Sequence, residues 1–285
     1  MTPPFNFNTP LLIVSADTHS AEILRNILAS HDDFYTSNAD LNTLWKLGNK
    51  NISHDLLTPR RHGSPKKYQK IRAKLFKILK QDTHKRIIDS SSGNIMRIAY
   101  LHKTIPEAKI IHIVRDGRSV VADQISEHPH NKEKSNHHAF GIAHFFQTLY
   151  GLLNFKSKSL LKNPNWPKMF EDTKALSRPN CYALQWIKAN QAVQKQRDYI
   201  PEDLFLTLRY EDLIEHTGKT LDTLIKFIGY ETPPFALWNY AKNTLPSQSH
   251  TSLNSLEKEE QQLVLETLST GLIHFQYCEQ RNLST

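Results

Sequence analysis

The strongest constraint on this chain is a set of short apolar runs separated by longer stretches of helical periodicity. The runs are LLIV at 11–14, IIHIV at 110–114 and LFLTL at 204–208, with RIID at 86–89 a fourth, shorter candidate. Each is too short for a stable helix and rich in branched side chains, so each reads as a buried strand. Between them, AEILRNILAS, KIRAKLFKILK and YALQWIKANQAVQKQ carry apolar residues at helical spacing, and LDTLIKFIG ends on Gly229, where a left-handed C-cap is expected. Strands alternating with helices predict an α/β fold with a parallel sheet covered on both faces. Ligands of such sheets bind beyond the carboxyl ends of the strands, where the loops at 15–21, 89–94 and 115–119 would lie.

Residues 127–180 break this rhythm. EHPHNKEKSNHH is polar, and NPNWPKMFEDTKALSRPN is rich in proline and asparagine. With a helix expected near FGIAHFFQTLYGLLNF, the segment reads as an insertion within a single domain spanning 1–285. Long insertions at this end of a sheet often carry function, so it is expected either to serve as a lid or acceptor-binding element or to pack on the rim. Its histidines, His128, His130, His137, His138 and His144, come without a neighbouring carboxylate pattern, and no metal is expected.

Formal net charge is +8, which favours an anionic ligand or surface. The charge is concentrated: Arg60, Arg61, Lys66, Lys67, Lys70, Arg72, Lys74, Lys77, Lys80, Lys85 and Arg86 face one acid, Asp82. This run is either a solvated helix face or an electrostatic funnel for a nucleotide donor or a polyanionic acceptor. No recognised nucleic-acid-binding module accompanies it, which argues against nucleic acid as the partner. Cys181 and Cys278 are the only cysteines, so neither a disulfide framework nor a zinc site is encoded. No apolar run approaches the roughly 20 residues of a membrane span. MTPPFNFNTP has no secretory pattern, so a cytoplasmic protein is expected.

Three stretches carry the local chemistry. LLIVSADTHSAEILRNIL, 11–28, reads as strand, tight loop and a helix from near Glu22, the arrangement that aims backbone N–H groups at a phosphate. Its loop, SADTHSAE, nevertheless has no glycine, lysine or arginine. In AKIIHIVRDGRSVVADQIS, 108–126, a buried strand ends at Arg115 and RDGR turns into a helix. Arg115 suits bidentate recognition of a phosphate, or a local ion pair with Asp116 that holds the loop. In LFLTLRYEDLIEHTGKTLDTLIKFIGY, 204–230, a strand runs into RYEDL; Tyr210 could stack on a base or bond a phosphate, while YEDL also suits a helix cap.

The order and spacing of KRIIDSSSGNIMRIAYLHKTIPEAKIIHIVRDGRSVV, ALQWIKANQAVQKQR and LTLRYEDL…TLIKFIGY resemble the sulfotransferases that use 3′-phosphoadenosine-5′-phosphosulfate. LLIVSADTHSAEILRNIL is similar, without a gap, to the first strand, phosphosulfate loop and helix of that family. The resemblance covers about residues 10–126 and 183–230. It implies a three-layer α/β/α fold of the P-loop nucleotide-kinase type and transfer of a sulfuryl group to a hydroxyl or amine acceptor, with no metal. It also implies that Arg115 holds the donor's 3′-phosphate, that Tyr210 lies near its adenine, and that the loop from Ala16 to Ala21 wraps the 5′-phosphosulfate. By position the family's acidic base falls close to Asp40 in TSNADLNTLW.

The chain departs from that family at the donor. Where the family reads Pro-Arg-Ser-Gly-Thr-Thr, this chain reads Asp17-Thr18-His19-Ser20-Ala21-Glu22. The lysine of Asp-Ser-Ser-Lys is Ser92, and the serine expected eight positions after Arg115 is Asp123. Carboxylates about 4 Å from a phosphate cost on the order of several kcal/mol at an effective dielectric near 20. A lost loop cation removes stabilisation worth roughly 10²–10³ in rate. Two readings follow. One is a working sulfotransferase whose remodelled site uses Thr18, Ser20 and the helix N-terminus for hydrogen bonds and His19 or the basic helix for charge. The other is a non-catalytic protein of that fold that binds an anionic ligand or a protein partner. A kinase-like reading is set aside, because no Gly-x-x-x-x-Gly-Lys-Ser/Thr pattern occurs.

Overall fold

The computed structural model describes residues 9–37, 41–49, 55–79, 85–127, 177–232, 234–247 and 252–278. They fall into two compact units, one of residues 1–115 and 191–249, the other of 116–190 and 250–285.

The first unit holds five strands: β1 (Leu11–Val14), β2 (Phe34–Thr36), β3 (Arg86–Asp89), β4 (Lys109–Val114) and β5 (Phe205–Arg209). Their order across the sheet is β2-β3-β1-β4-β5, and every neighbouring pair is parallel. The register sets Leu12 beside both Asp89 and Ile110, Val14 beside His112, and Val114 beside Arg209. β1 is buried along its whole length, as a central parallel strand covered on both faces must be. β2, which the apolar pattern misses, is a three-residue edge strand in which only Phe34 is buried.

The chain leaves β1 toward β2 and β3 and leaves β4 toward β5. The β1–β4 crevice is therefore the switch point at which ligands of open α/β sheets bind. The helices that follow the strands bring one apolar face onto the sheet. α1 (Thr18–Ala29) buries Leu24, Ile27 and Leu28, which join Ile13, Ile111 and Leu224 in one core. α2 (Leu41–Trp45), α3 (Pro59–His62), α4 (Pro65–Leu79) and α5 (Ile98–Thr104) lie between β2 and β4 in the chain. A 3₁₀ turn, Ser92–Met96, precedes α5.

After β4 come α6 (Gly117–Glu127) and α7 (Arg178–Arg197). After β5 come α8 (Tyr210–Glu215), α9 (Thr217–Ile228), α10 (Phe235–Thr244) and α11 (Lys258–His274). α9 ends as its sequence predicts: Gly229 takes φ +106° and donates its N–H to the carbonyls of Ile225 and Lys226.

In the second unit α6 packs against α11. Trp186 is its buried centre, and its ring lies so near Gly271 that a Cβ there would fall 2.4 Å from Cζ3. Both cysteines are free thiols, and burial pushes the Cys181 thiol up. The insertion helix expected near 140–155 and the five histidines of that segment lie outside the described residues.

Candidate functional site

The helix after β1 begins at Thr18, four residues before the sequence pattern places it, and Asp17 is the reason. Asp17 sits in extended backbone as the N-cap, and its carboxylate accepts the His19 N–H at Oδ1 and the Ser20 N–H at Oδ2, both at 3.1 Å. The Ser20 hydroxyl donates to the same Oδ2, and the Asp17 N–H in turn donates to Ser15 Oγ at 3.1 Å. This is the capping geometry an aspartate favours at a helix start. Asp17 is 6% exposed and Ser20 fully buried, while Thr18 and His19 stand exposed at the rim. Ala21 is buried as the first apolar contact of α1.

Parallel pairing brings the ends of β1, β4 and β5 side by side, and with them the residues that follow. Arg115, one residue past β4, sets Nη1 3.5 Å from Asp17 Oδ2, with both side chains nearly buried. Its guanidinium carbon lies 5.1 Å from the ring centroid of Tyr210, the residue after β5, in cation–π range. The Tyr210 ring meets His19 edge-on at 6.4 Å. Asp17, His19, Arg115 and Tyr210 thus form one cluster at the switch point. Arg115 turns to Asp17, and the pairing that steadies the RDGR turn is instead Asp116 with Arg118, at 2.6 Å between Nη2 and Oδ2.

The two loop acids behave differently. Glu22 is exposed and pairs with Arg25 at 2.8 Å, away from the cluster, whereas Asp17 points into it. Asp123 lies on α6 in the second unit, and Asp40 lies outside the described residues.

A buried polar network fixes the neighbouring loop at the end of β3, and the sequence pattern did not reveal it. Asp89 accepts Trp45 Nε1 at 2.7 Å, Asn94 Nδ2 at 2.8 Å and the Ser91 N–H at 2.9 Å. Arg97, fully buried, donates to Asn94, to Asn42 at 2.6 Å and to Asp55 at 3.2 Å; Lys46 completes the group at 2.7 Å from Asp55. Burial pushes the Asp55 carboxyl up despite the lowering effects of Arg97 and Lys46. The loop passes so close that a Cβ on Gly93 would lie 2.5 Å from Asp55 Cγ. The loop is thus held by hydrogen bonds to Asp89.

The basic run resolves into two roles. Arg72 is buried and forked onto Glu107 at 2.7 and 3.0 Å; Arg86 donates to the carbonyls of Thr9 and Ile228; Lys67 bonds Asn49 and the His62 carbonyl. These three hold the fold. Lys66, Lys70, Lys74 and Lys77 are exposed and spaced four, four and three apart, which aligns them on one face of an α4 that contains no acid. Among the described residues no cluster of three or more His, Cys, Asp or Glu is placed to hold a metal, and no helix is long and apolar enough to cross a membrane.

Comparison with known proteins agrees with this architecture. The sulfotransferase domain from the curacin biosynthetic pathway superposes over 95% of this chain and 98% of its own, with a TM-score of 0.55 at 14% identity. A sulfotransferase from Mycobacterium tuberculosis H37Rv superposes over 93% of this chain and 77% of its own, with a TM-score of 0.51 at 11% identity. Such likenesses speak to the fold. No curated protein matches the sequence. A model of the sulfotransferase family matches residues 19–164, half of the chain, running from the first turn of α1 past the RDGR turn. With the five-stranded parallel sheet and the clustered strand ends, that match makes the chain a member of the sulfotransferase family.

Proposed function

We propose that this protein binds 3′-phosphoadenosine-5′-phosphosulfate at the β1–β4 switch point and transfers its sulfuryl group to a hydroxyl or amine. The observation that carries the reading is the convergence of Arg115, the Tyr210 ring and the N-terminus of α1. In this reading Arg115 grips the 3′-phosphate, Tyr210 flanks the adenine end, and the backbone from Ala16 to Ala21 faces the 5′-phosphosulfate. The acceptor's oxygen or nitrogen bonds to sulfur as the bond from sulfur to the bridging phosphate oxygen breaks. The acceptor's proton passes to a base, for which Asp40 is the candidate, and 3′-phosphoadenosine-5′-phosphate leaves. His19, exposed beside Tyr210, is the loop side chain able to carry positive charge toward that leaving oxygen. Two free thiols suit a reducing, cytoplasmic setting.

Isothermal titration with 3′-phosphoadenosine-5′-phosphate tests the donor site. Binding that Arg115→Ala weakens at least about tenfold is expected, in line with the loss of a charge-assisted phosphate contact. No heat at millimolar nucleotide would refute it.

A second reading, a non-catalytic protein of this fold that binds an anion or a protein partner, is favoured by one observation: the Asp17 carboxylate stands where a phosphate oxygen is needed. Transfer of radiolabelled sulfate from the donor to any acceptor, lost in Arg115→Ala, would rule it out.

A further inference from the structure

We infer that Asp17 is an internal anion standing in the place of the donor's 5′-phosphosulfate, so that it sets donor affinity and must be displaced for the donor to bind. This rests on the donor-site reading above and adds the residue that governs it.

The free amides of His19 and Ser20, the second and third of α1, are groups a phosphosulfate would use, and both already donate to Asp17, one to each carboxylate oxygen. The oxygen that accepts from Ser20 also lies 3.5 Å from Arg115 Nη1. One carboxylate therefore spans the helix start and the guanidinium, as a bound oxyanion would. It does so with Asp17 and Arg115 each only 6% exposed, where water screens little. The other loop acid takes no part, since Glu22 is turned outward onto Arg25. The occlusion therefore belongs to a single side chain. A capping carboxylate and a donor phosphate cannot both accept the same two N–H groups, and they repel at contact distance. Displacement is possible in principle because Asp17 is held by a loop at the rim, between exposed Thr18 and the turn at Ala16, rather than by the sheet.

The test separates charge from capping. Asn and Ser cap helices as well as Asp does, so Asp17→Asn and Asp17→Ser keep the helix start while removing the anion. Each variant and the parent are titrated with 3′-phosphoadenosine-5′-phosphate and with adenosine 3′-monophosphate, and melted to confirm folding. The expected result is about tenfold or more tighter binding of the bisphosphate in whichever variant melts like the parent, with a smaller gain for the 3′-monophosphate. Equal bisphosphate affinity in parent and variants would overturn the inference and leave the donor site standing. Equal gains for both nucleotides would also overturn it, since Asp17 would then act only on the 3′ end through Arg115. No binding by parent or variants would remove the donor-site reading and this inference together.

Discussion

Arg97→Met is expected to be among the most destabilising single changes in the first unit, and its cost will depend on pH. Arg97 is fully buried and donates to Asp55, Asn42 and Asn94, the last through both Nε and Nη2. Methionine fills comparable space but leaves the buried Asp55 with Lys46 as its remaining cationic partner in this group. Breaking one side of a buried ion pair costs about 3–5 kcal/mol, a large share of the roughly 5–15 kcal/mol that holds a domain folded. For a chain of this length that is a fall of about 6–10 °C in Tm.

The pH dependence follows from Asp55. Burial already raises its carboxyl, and Arg97 is the largest influence lowering it, so the substitution raises it further. A carboxyl raised in the folded state contributes stability below its unfolded value and loses it as pH rises through the folded value. The deficit of Arg97→Met should therefore be larger near pH 8 than near about pH 5.5. Adding Asp55→Asn should recover part of the loss, because an amide needs no counter-charge. Thermal melts by circular dichroism at both pH values decide the matter. A Tm within about 2 °C of the parent at both would show that the network contributes no net stability, and the reasoning would fail.

Four further outcomes are expected. Gly93→Ala should lower the unfolding free energy read from urea titration by about 1–3 kcal/mol, since its Cβ would lie 2.5 Å from Asp55 Cγ. Gly218→Ala in α9, with nothing within 4 Å of its Cβ, should be neutral or raise stability by up to about 1 kcal/mol. Tyr100 and Tyr230 are both pushed up to about 12, first by burial, and the Tyr230 hydroxyl also donates to Asp33 at 2.6 Å. Their folded forms hold the proton, so stability present below pH 10 is lost as pH climbs toward 12; phenolate absorbance should show two late tyrosines that normalise on unfolding. Replacing Lys66, Lys70, Lys74 and Lys77 together with glutamine halves the formal net charge of +8 and should lower the salt at which the protein leaves a heparin column, with Tm nearly unchanged. Unchanged elution would show that this face binds no polyanion.

The sheet was largely legible because a central parallel strand must be apolar on both faces, and LLIV and IIHIV carry that mark, while RIID, bounded by Arg86 and Asp89, offered only a shorter candidate. FYT at 34–36 does not, because an edge strand with one buried residue has no pattern to show. Gly229 was readable for a different reason: only a glycine-like residue takes φ +106° without strain. The network around Arg97 was invisible in principle. Its members come from 42, 46, 55, 89, 94 and 97, far apart and unpatterned, and only packing reveals that Arg97 is buried at all.

The loop after β1 shows where reading residue types stops being enough. By composition, Asp17 and Glu22 are two equivalent acids set against a phosphate site. The structure makes them opposites, and the cause is helical geometry. Glu22 lies in the second turn of α1, three residues from Arg25 on the same face, and satisfies itself there. Asp17 precedes the first turn, where the orphan N–H groups of a helix start demand an acceptor. In this chain the replacements Asp17 and Ser20 are complementary to each other: the serine hydroxyl and amide both donate to the aspartate. The loop keeps its helix-start donors and the Arg115 partner and supplies the anion from its own chain. In the donor-site reading proposed above, charge at this single position, rather than the shape of the fold, is what the Asp17 variants test.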